Sequence, residues 1–131
     1  MHNLFVYGTL KRGHGNSKLL AHAEILGMAT SVSKYKLLDC GIPFMIESLD
    51  ENSGACVRGE LYRIDDETLA RCDRLERHPR LYMRSMRAFK LSDGTLLEAW
   101  VYLKTDNDRV WHGEELQPDF NGVVEWTRRH E

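Results

Sequence analysis

The chain has no uninterrupted apolar run near the ~18 residues that a membrane-spanning helix needs, so no transmembrane segment is expected. Met1 to Gly8 show no basic stretch leading into a long apolar one. No secretory signal is expected, and the expected location is cytoplasmic. Cysteine is scarce: Cys40, Cys56 and Cys72 are an odd number without a Cys-x-x-Cys pair. They fit buried or incidental thiols in a reducing cytosol far better than a disulfide framework. Only 3 prolines and no Ser/Gln-rich tract argue against extensive disorder. A surplus of charge is missing too. The 18 Lys and Arg against 20 Asp and Glu leave −2, which speaks against a phosphate-binding nucleic-acid surface.

Catalytic signatures that depend on fixed spacing are equally absent. The 6 histidines form no His-x3-His or Cys/His pair, so no built metal site is expected. There is no Gly-x-Ser-x-Gly elbow, and no cysteine stands in an activating context. Gly8-x4-Gly13 has the spacing of a phosphate loop. His14 and Gly15, however, stand where Lys and Ser/Thr would grip phosphate and magnesium, which excludes the nucleotide reading.

What is present fits one globular domain over 1–131: 131 residues, 42% apolar and 29% charged. Leu4 to Tyr7 read as a first strand, followed by a loop holding Gly8, Gly13 and Gly15. Asn16 or Ser17 caps a short helix carrying Leu19, Leu20 and Ala23. Strands are expected over 24–32 and 35–38, a turn at Gly41-Ile42-Pro43, an extended 44–46 and a turn at 52–54. Val57, Gly59 and Leu61 alternate with Arg58, Glu60 and Tyr62, the pattern of a half-buried strand. Asp65-Asp66-Glu67 opens a helix with Arg71, Arg74 and Arg77 in its C-terminal half, and Pro79 bars continuation. A hairpin over 83–91 and 95–104 turns at Asp93-Gly94, with Leu97, Ala99, Val101 and Leu103 on one face. From Thr105 the chain turns polar, a lid, an oligomer contact or a frayed end, with a short terminal helix over 122–130. Five to seven short strands with two or three helices predict an α+β domain with a curled sheet or small barrel.

Two places carry candidate chemistry. Tyr7-Gly8-Thr9-Leu10 ends a strand before a tight turn, where backbone N–H groups can converge as a nest for a carboxylate; a plain turn is the alternative. Leu69, Cys72 and Glu76 stand at i, i+3 and i+7, so they share one side of the expected helix, which Leu75 widens. A carboxyl there faces the core or a cavity, where desolvation favours its neutral form and suits it to acid/base work. The alternative is a helix-end Glu76 paired with an Arg or capping a loop. His14 and His78 lie near these places. Arg80, Arg84 and Arg87 read as surface charge.

Val6-Tyr7-Gly8-Thr9-Leu10-Lys11-Arg12-Gly13 with Asn16 resembles the opening motif of the gamma-glutamylcyclotransferase-like family. Gly59-Glu60-Leu61-Tyr62 resembles its second block, which continues through Leu69, Asp73, Leu75-Glu76, Pro79, Tyr82 and Arg84, while Gly41-Ile42-Pro43 matches a smaller turn motif. The resemblance spans about residues 3 to 104 and is strongest to the gamma-glutamylamine cyclotransferase branch. Cys72 stands where that pattern commonly has leucine, and the segment after Thr105 has no match. The resemblance implies a small mixed β-barrel with flanking short helices, acting on a small gamma-glutamyl substrate without cofactor or metal. Tyr7, Gly8, Thr9 and Leu10 would hold the gamma-glutamyl group, with Ile42, Pro43 and Tyr82 also at the substrate. Glu76 would be the general acid/base that lets the substrate α-amine close on the γ-carbonyl, releasing 5-oxoproline and an amine. Two rivals remain open at this point: a non-catalytic metabolite-binding module on the same scaffold, and a small barrel that binds single-stranded nucleic acid.

Overall fold

The computed structural model describes residues 1–11, 16–39, 41–48, 53–104 and 114–127. Residues 12–15, Cys40, 49–52, 105–113 and 128–131 lie outside the described residues, among them His14, Gly13, Gly15 and Asn52. The strands are β1 (His2–Val6), β2 (Glu24–Ser31), β3 (Tyr35–Asp39), β4 (Pro43–Glu47), β5 (Cys56–Ile64), β6 (Tyr82–Leu91), β7 (Leu96–Lys104), β8 (Glu114–Glu115) and β9 (Val123–Val124). Among the described residues, α-helix α1 spans Asp66–Leu75.

Five strands close a mixed barrel in the order β1-β7-β6-β2-β5, because β1 pairs with both ends of the row. It runs antiparallel to β5, with Leu4 opposite Tyr62, and parallel to β7, with Leu4 opposite Trp100. A small second sheet, β4-β3-β8, packs beside the barrel. The expected hairpin forms from β6 and β7, and Gly94 supplies the left-handed turn residue at φ 93. The face shared by Leu97, Ala99, Val101 and Leu103 packs into the barrel core.

Strand β1 explains how the layers stack. Phe5 of β1 and Tyr7 just after it enter the barrel core, where Phe5 stacks on Phe89 at 4.1 Å. Leu4 and Val6 enter a second apolar layer with Tyr62, Leu69, Cys72, Tyr82 and Tyr102. A strand covered on both faces reads as an unbroken apolar run, as this one does. Gly59 of β5 crosses β1 so closely that a Cβ there would lie 2.3 Å from the Val6 carbonyl oxygen.

Four expectations need correction. The alternation in β5 predicts an exposed face with Arg58, Glu60 and Tyr62, but Glu60 and Tyr62 are buried because the second layer covers that face. The helix after Asn16 is only a 3-10 turn, Ser17–Leu20. Asn16 makes no side-chain cap there; its amide nitrogen donates to Thr9 Oγ1 instead. Helix α1 ends at Leu75, so Arg77 stands outside it, and Leu75 is exposed rather than packed in the core. Finally, the terminal helix over 122–130 is not found in its described part. Val123–Val124 pair with Cys56–Val57, and Trp126 is 1% exposed in the barrel core. The buried Lys11 Nζ donates to the Trp126 carbonyl at 2.5 Å and lies 3.5 Å from Glu125. Segment 114–127 is thus pinned to the body at β8, β9 and Trp126 rather than frayed, with residues 117–122 exposed between these anchors.

Candidate active site

The chain leaves β1 through a tight turn closed by the Lys11 N–H donating to the Gly8 carbonyl at 2.9 Å. Asn16 fastens the far side of this loop, since its backbone N–H reaches the Thr9 carbonyl at 2.8 Å. Gly8 is required by proximity: a Cβ there would stand 2.5 Å from Cγ of Pro43. The Pro43 carbonyl in turn accepts the Tyr82 hydroxyl at 2.8 Å, and the Tyr82 ring stacks on Phe44 at 5.3 Å. Three distant segments, 7–10, 42–43 and 82, therefore meet at one place.

Glu76 arrives from the end of α1. Asp65 caps the helix start by accepting the Thr68 N–H at 2.7 Å, and Leu69 and Cys72 bury one side. At the other end Glu76 keeps helical angles as the C-cap, while Arg77 turns left-handed at φ 54. The N–H of Arg77 donates to the Arg74 carbonyl at 3.2 Å and that of His78 to the Asp73 carbonyl at 2.9 Å, the paired bonds of a Schellman cap. Because Glu76 continues the helical phase, its carboxyl follows Leu69 and Cys72 to the inner side.

A cavity of about 340 Å³ opens there, the size of a small-molecule site. All eight residues singled out from the sequence line it: Tyr7, Gly8, Thr9, Leu10, Ile42, Pro43, Glu76 and Tyr82. Lining residues not singled out as site residues include Asn16, Arg77, Leu81 and Tyr102. Tyr102 had a legible signal, since it alternates with the barrel-facing residues of β7 and so must point toward α1. Arg77 had none, because its spacing from Arg71 and Arg74 continues the helical period.

Burial raises the Glu76 carboxyl to a pKa of about 7, and burial is the cause. Among the described residues no cation pairs with it, contrary to the helix-end ion pair weighed above. Burial also raises the Tyr7 phenol well above its ordinary value, with Tyr82 and Glu76 adding to the shift; its hydroxyl donates to the Tyr102 carbonyl. Cys72 is pushed up to about 12 by burial first and by Glu76 and Asp73 after it, so its thiol is protonated and inert as a nucleophile. No group of three or more His, Cys, Asp or Glu able to hold a metal occurs among the described residues.

Both sides of the Glu76 turn are anchored. Asp73 Oδ1 accepts the Tyr102 hydroxyl at 2.6 Å and lies 3.1 Å from Arg84 Nε, while the Arg84 guanidinium sits 4.4 Å from the Trp100 ring centre. The Arg84 N–H donates to Nδ1 of His78 at 3.0 Å. Asp73 and Arg84 thus hold the turn against β6 and β7, and Arg84 is an interior clamp rather than surface charge. Chemically, the cavity offers a carboxyl raised toward neutrality by burial, set among aromatic and aliphatic walls beside a backbone turn.

A family model described as gamma-glutamyl cyclotransferase, AIG2-like, matches residues 4–121. The chain belongs to that family. The match runs past Lys104 through β8 to Asn121, so the family pattern also covers part of the segment for which the sequence motifs offered no counterpart. The gamma-glutamylaminecyclotransferase of Rattus norvegicus is 30% identical over 150 residues, covering 92% of this chain and 99% of that protein. Gamma-glutamylaminecyclotransferase A of Danio rerio is 33% identical over 119 residues, covering 83% of this chain and 73% of its relative. The crystal structure of an AIG2-like protein from Mus musculus superposes with a TM-score of 0.73 at 26% identity, covering 100% of this chain and 99% of the mouse chain. Family membership makes this an enzyme of the gamma-glutamyl cyclotransferase type with a small mixed β-barrel. No helix among the described residues is long and apolar enough to cross a membrane.

Proposed function

We propose that this protein is a gamma-glutamylamine cyclotransferase with Glu76 as its general acid/base. One observation carries the reading: the buried Glu76 carboxyl, raised in pKa and without a cation partner among the described residues, shares a single cavity with the Tyr7–Leu10 turn. A gamma-glutamyl amide contains its own nucleophile. The α-nitrogen bonds to the γ-carbonyl carbon, the bond from that carbon to the amide nitrogen breaks, and a five-membered lactam, 5-oxoproline, leaves with the free amine. Two protons depart the α-ammonium and two arrive on the leaving nitrogen, so the protons balance without water, metal or cofactor.

In this reading Glu76 takes a proton from the ammonium, which cannot attack while protonated, and later delivers one to the departing nitrogen. A carboxyl near pKa 7 serves both steps because its two forms lie close in energy at neutral pH. The amides of the Tyr7–Leu10 turn hold the α-carboxylate and fold the substrate toward ring closure; such positioning reaches roughly 7–11 kcal/mol in favourable intramolecular reactions. Tyr82, Ile42 and Pro43 close the apolar wall and limit competing water. The test is 5-oxoproline release from a gamma-glutamylamine by the wild type and Glu76→Gln. General acid–base loss lowers kcat by roughly 10²–10⁴. Wild-type turnover in Glu76→Gln removes Glu76 from the mechanism, and ligand binding without any turnover in the wild type supports the non-catalytic module.

A further inference from the structure

Among the described residues lining the cavity, Arg77 is the single cation and Glu76 the single anion. They are neighbours in sequence, yet no ion pair joins them, and among the described residues the Arg77 side chain has no hydrogen-bond partner. The backbone explains why they stay apart. Glu76 still follows the helix, whereas Arg77 sits at φ 54 and leaves it, so the carboxyl is partly buried while the arginine is exposed.

That position does not need an arginine for structural reasons. The cap is closed by main-chain N–H groups of Arg77 and His78, which any residue with an N–H supplies. The left-handed conformation favours glycine, so an arginine here is held against the backbone's preference. Strain kept at a cavity wall is the kind of observation that points to use by a ligand.

We infer that Arg77 is a specificity residue at the cavity rim, pairing with an anionic group, carboxylate or phosphate, on the departing amine. The inference rests on the cyclotransferase reading. There the α-carboxylate lies on the Tyr7–Leu10 turn and both reacting nitrogens lie at Glu76. The part of the substrate left to meet the rim is the arm of the leaving amine. A cationic arm, as in a polyamine, meets like charge there; an anionic arm gains a charge-assisted contact with a planar guanidinium.

The experiment compares gamma-glutamyl-β-alanine, gamma-glutamyl-phosphoethanolamine and the neutral gamma-glutamyl-propylamine, reading kcat/KM for 5-oxoproline release by wild type, Arg77→Gly and Arg77→Glu. Glycine suits the left-handed site, so Arg77→Gly should melt no lower than wild type, and any change is then one of recognition. The wild type should prefer the anionic arms about five- to tenfold, a rim contact being weakened by solvent. Arg77→Gly should bring that ratio near one, and Arg77→Glu should reverse it. The faster of the two anionic substrates identifies the preferred anion. No preference in the wild type, or an equal loss on all three arms in Arg77→Gly, overturns the inference while leaving the cyclotransferase reading standing. Absence of 5-oxoproline from every substrate overturns both.

Discussion

Replacing Glu76 by glutamine preserves the side chain's shape and removes its titration, which makes the burial of this carboxyl measurable without any substrate. The group ionises at about 7 in the folded chain against an ordinary 4.5. The folded state therefore binds the proton more tightly than the unfolded state, and wild-type stability falls as pH rises through that interval. Below 4.5 both states are protonated and the effect vanishes; above 7 it is complete, at about 3 kcal/mol. Roughly 2.5 kcal/mol of this falls between pH 5 and pH 8, equivalent to about 8 °C in Tm for a domain of this size. Glu76→Gln has no such dependence. Urea titrations of both proteins at pH 5 and pH 8 should show the variant gaining about that amount relative to wild type on going to the higher pH. An unchanged difference between the two pH values would refute the burial argument, and with it the reason for giving Glu76 the proton-transfer role.

Three further outcomes follow from packing. Gly8→Ala forces a methyl against the Pro43 ring, where the Cβ would lie 2.5 Å from Cγ; it should cost about 1–3 kcal/mol in denaturant titration and depress 5-oxoproline release. Asp73→Asn leaves Arg84 without its counter-charge and weakens the Tyr102 contact, so it should destabilise by about 1–3 kcal/mol and lower kcat more than it raises KM. Trp126→Ala should cost about 3–5 kcal/mol although it lies in the polar C-terminal segment, because the side chain fills the barrel core; near-neutral stability there would contradict that anchor.

The barrel was legible where a single physical cause dominates. Leu4 to Tyr7 form an unbroken apolar run because both faces are covered, and Asp93-Gly94 marks its hairpin because only a few residues accept that turn. The inner side of α1 was readable as far as Glu76 because the cap keeps the helical phase for one residue beyond Leu75. Arg77 was not readable: a left-handed residue is usually announced by glycine, and here an arginine at helical spacing hides the turn. The 3-10 segment after Asn16 escaped because that side chain, a good cap in isolation, is occupied by Thr9 across the loop. Val123, Val124 and Trp126 escaped for another reason. Their two-residue pairing and one buried ring are too short to produce a period, and the surrounding polarity masks them. In β5 the polar character of Glu60 and the hydroxyl of Tyr62 suggested solvent, whereas the two groups satisfy each other at 3.1 Å beneath the second layer.

The most direct examination of the catalytic assignment is a crystal structure of the protein with 5-oxoproline bound. The lactam should lie inside the cavity, its carboxylate against the backbone amides after β1 and its ring nitrogen within hydrogen-bond distance of the Glu76 carboxyl. A product molecule seated elsewhere, or one held in the cavity with Glu76 turned to solvent, would contradict that assignment.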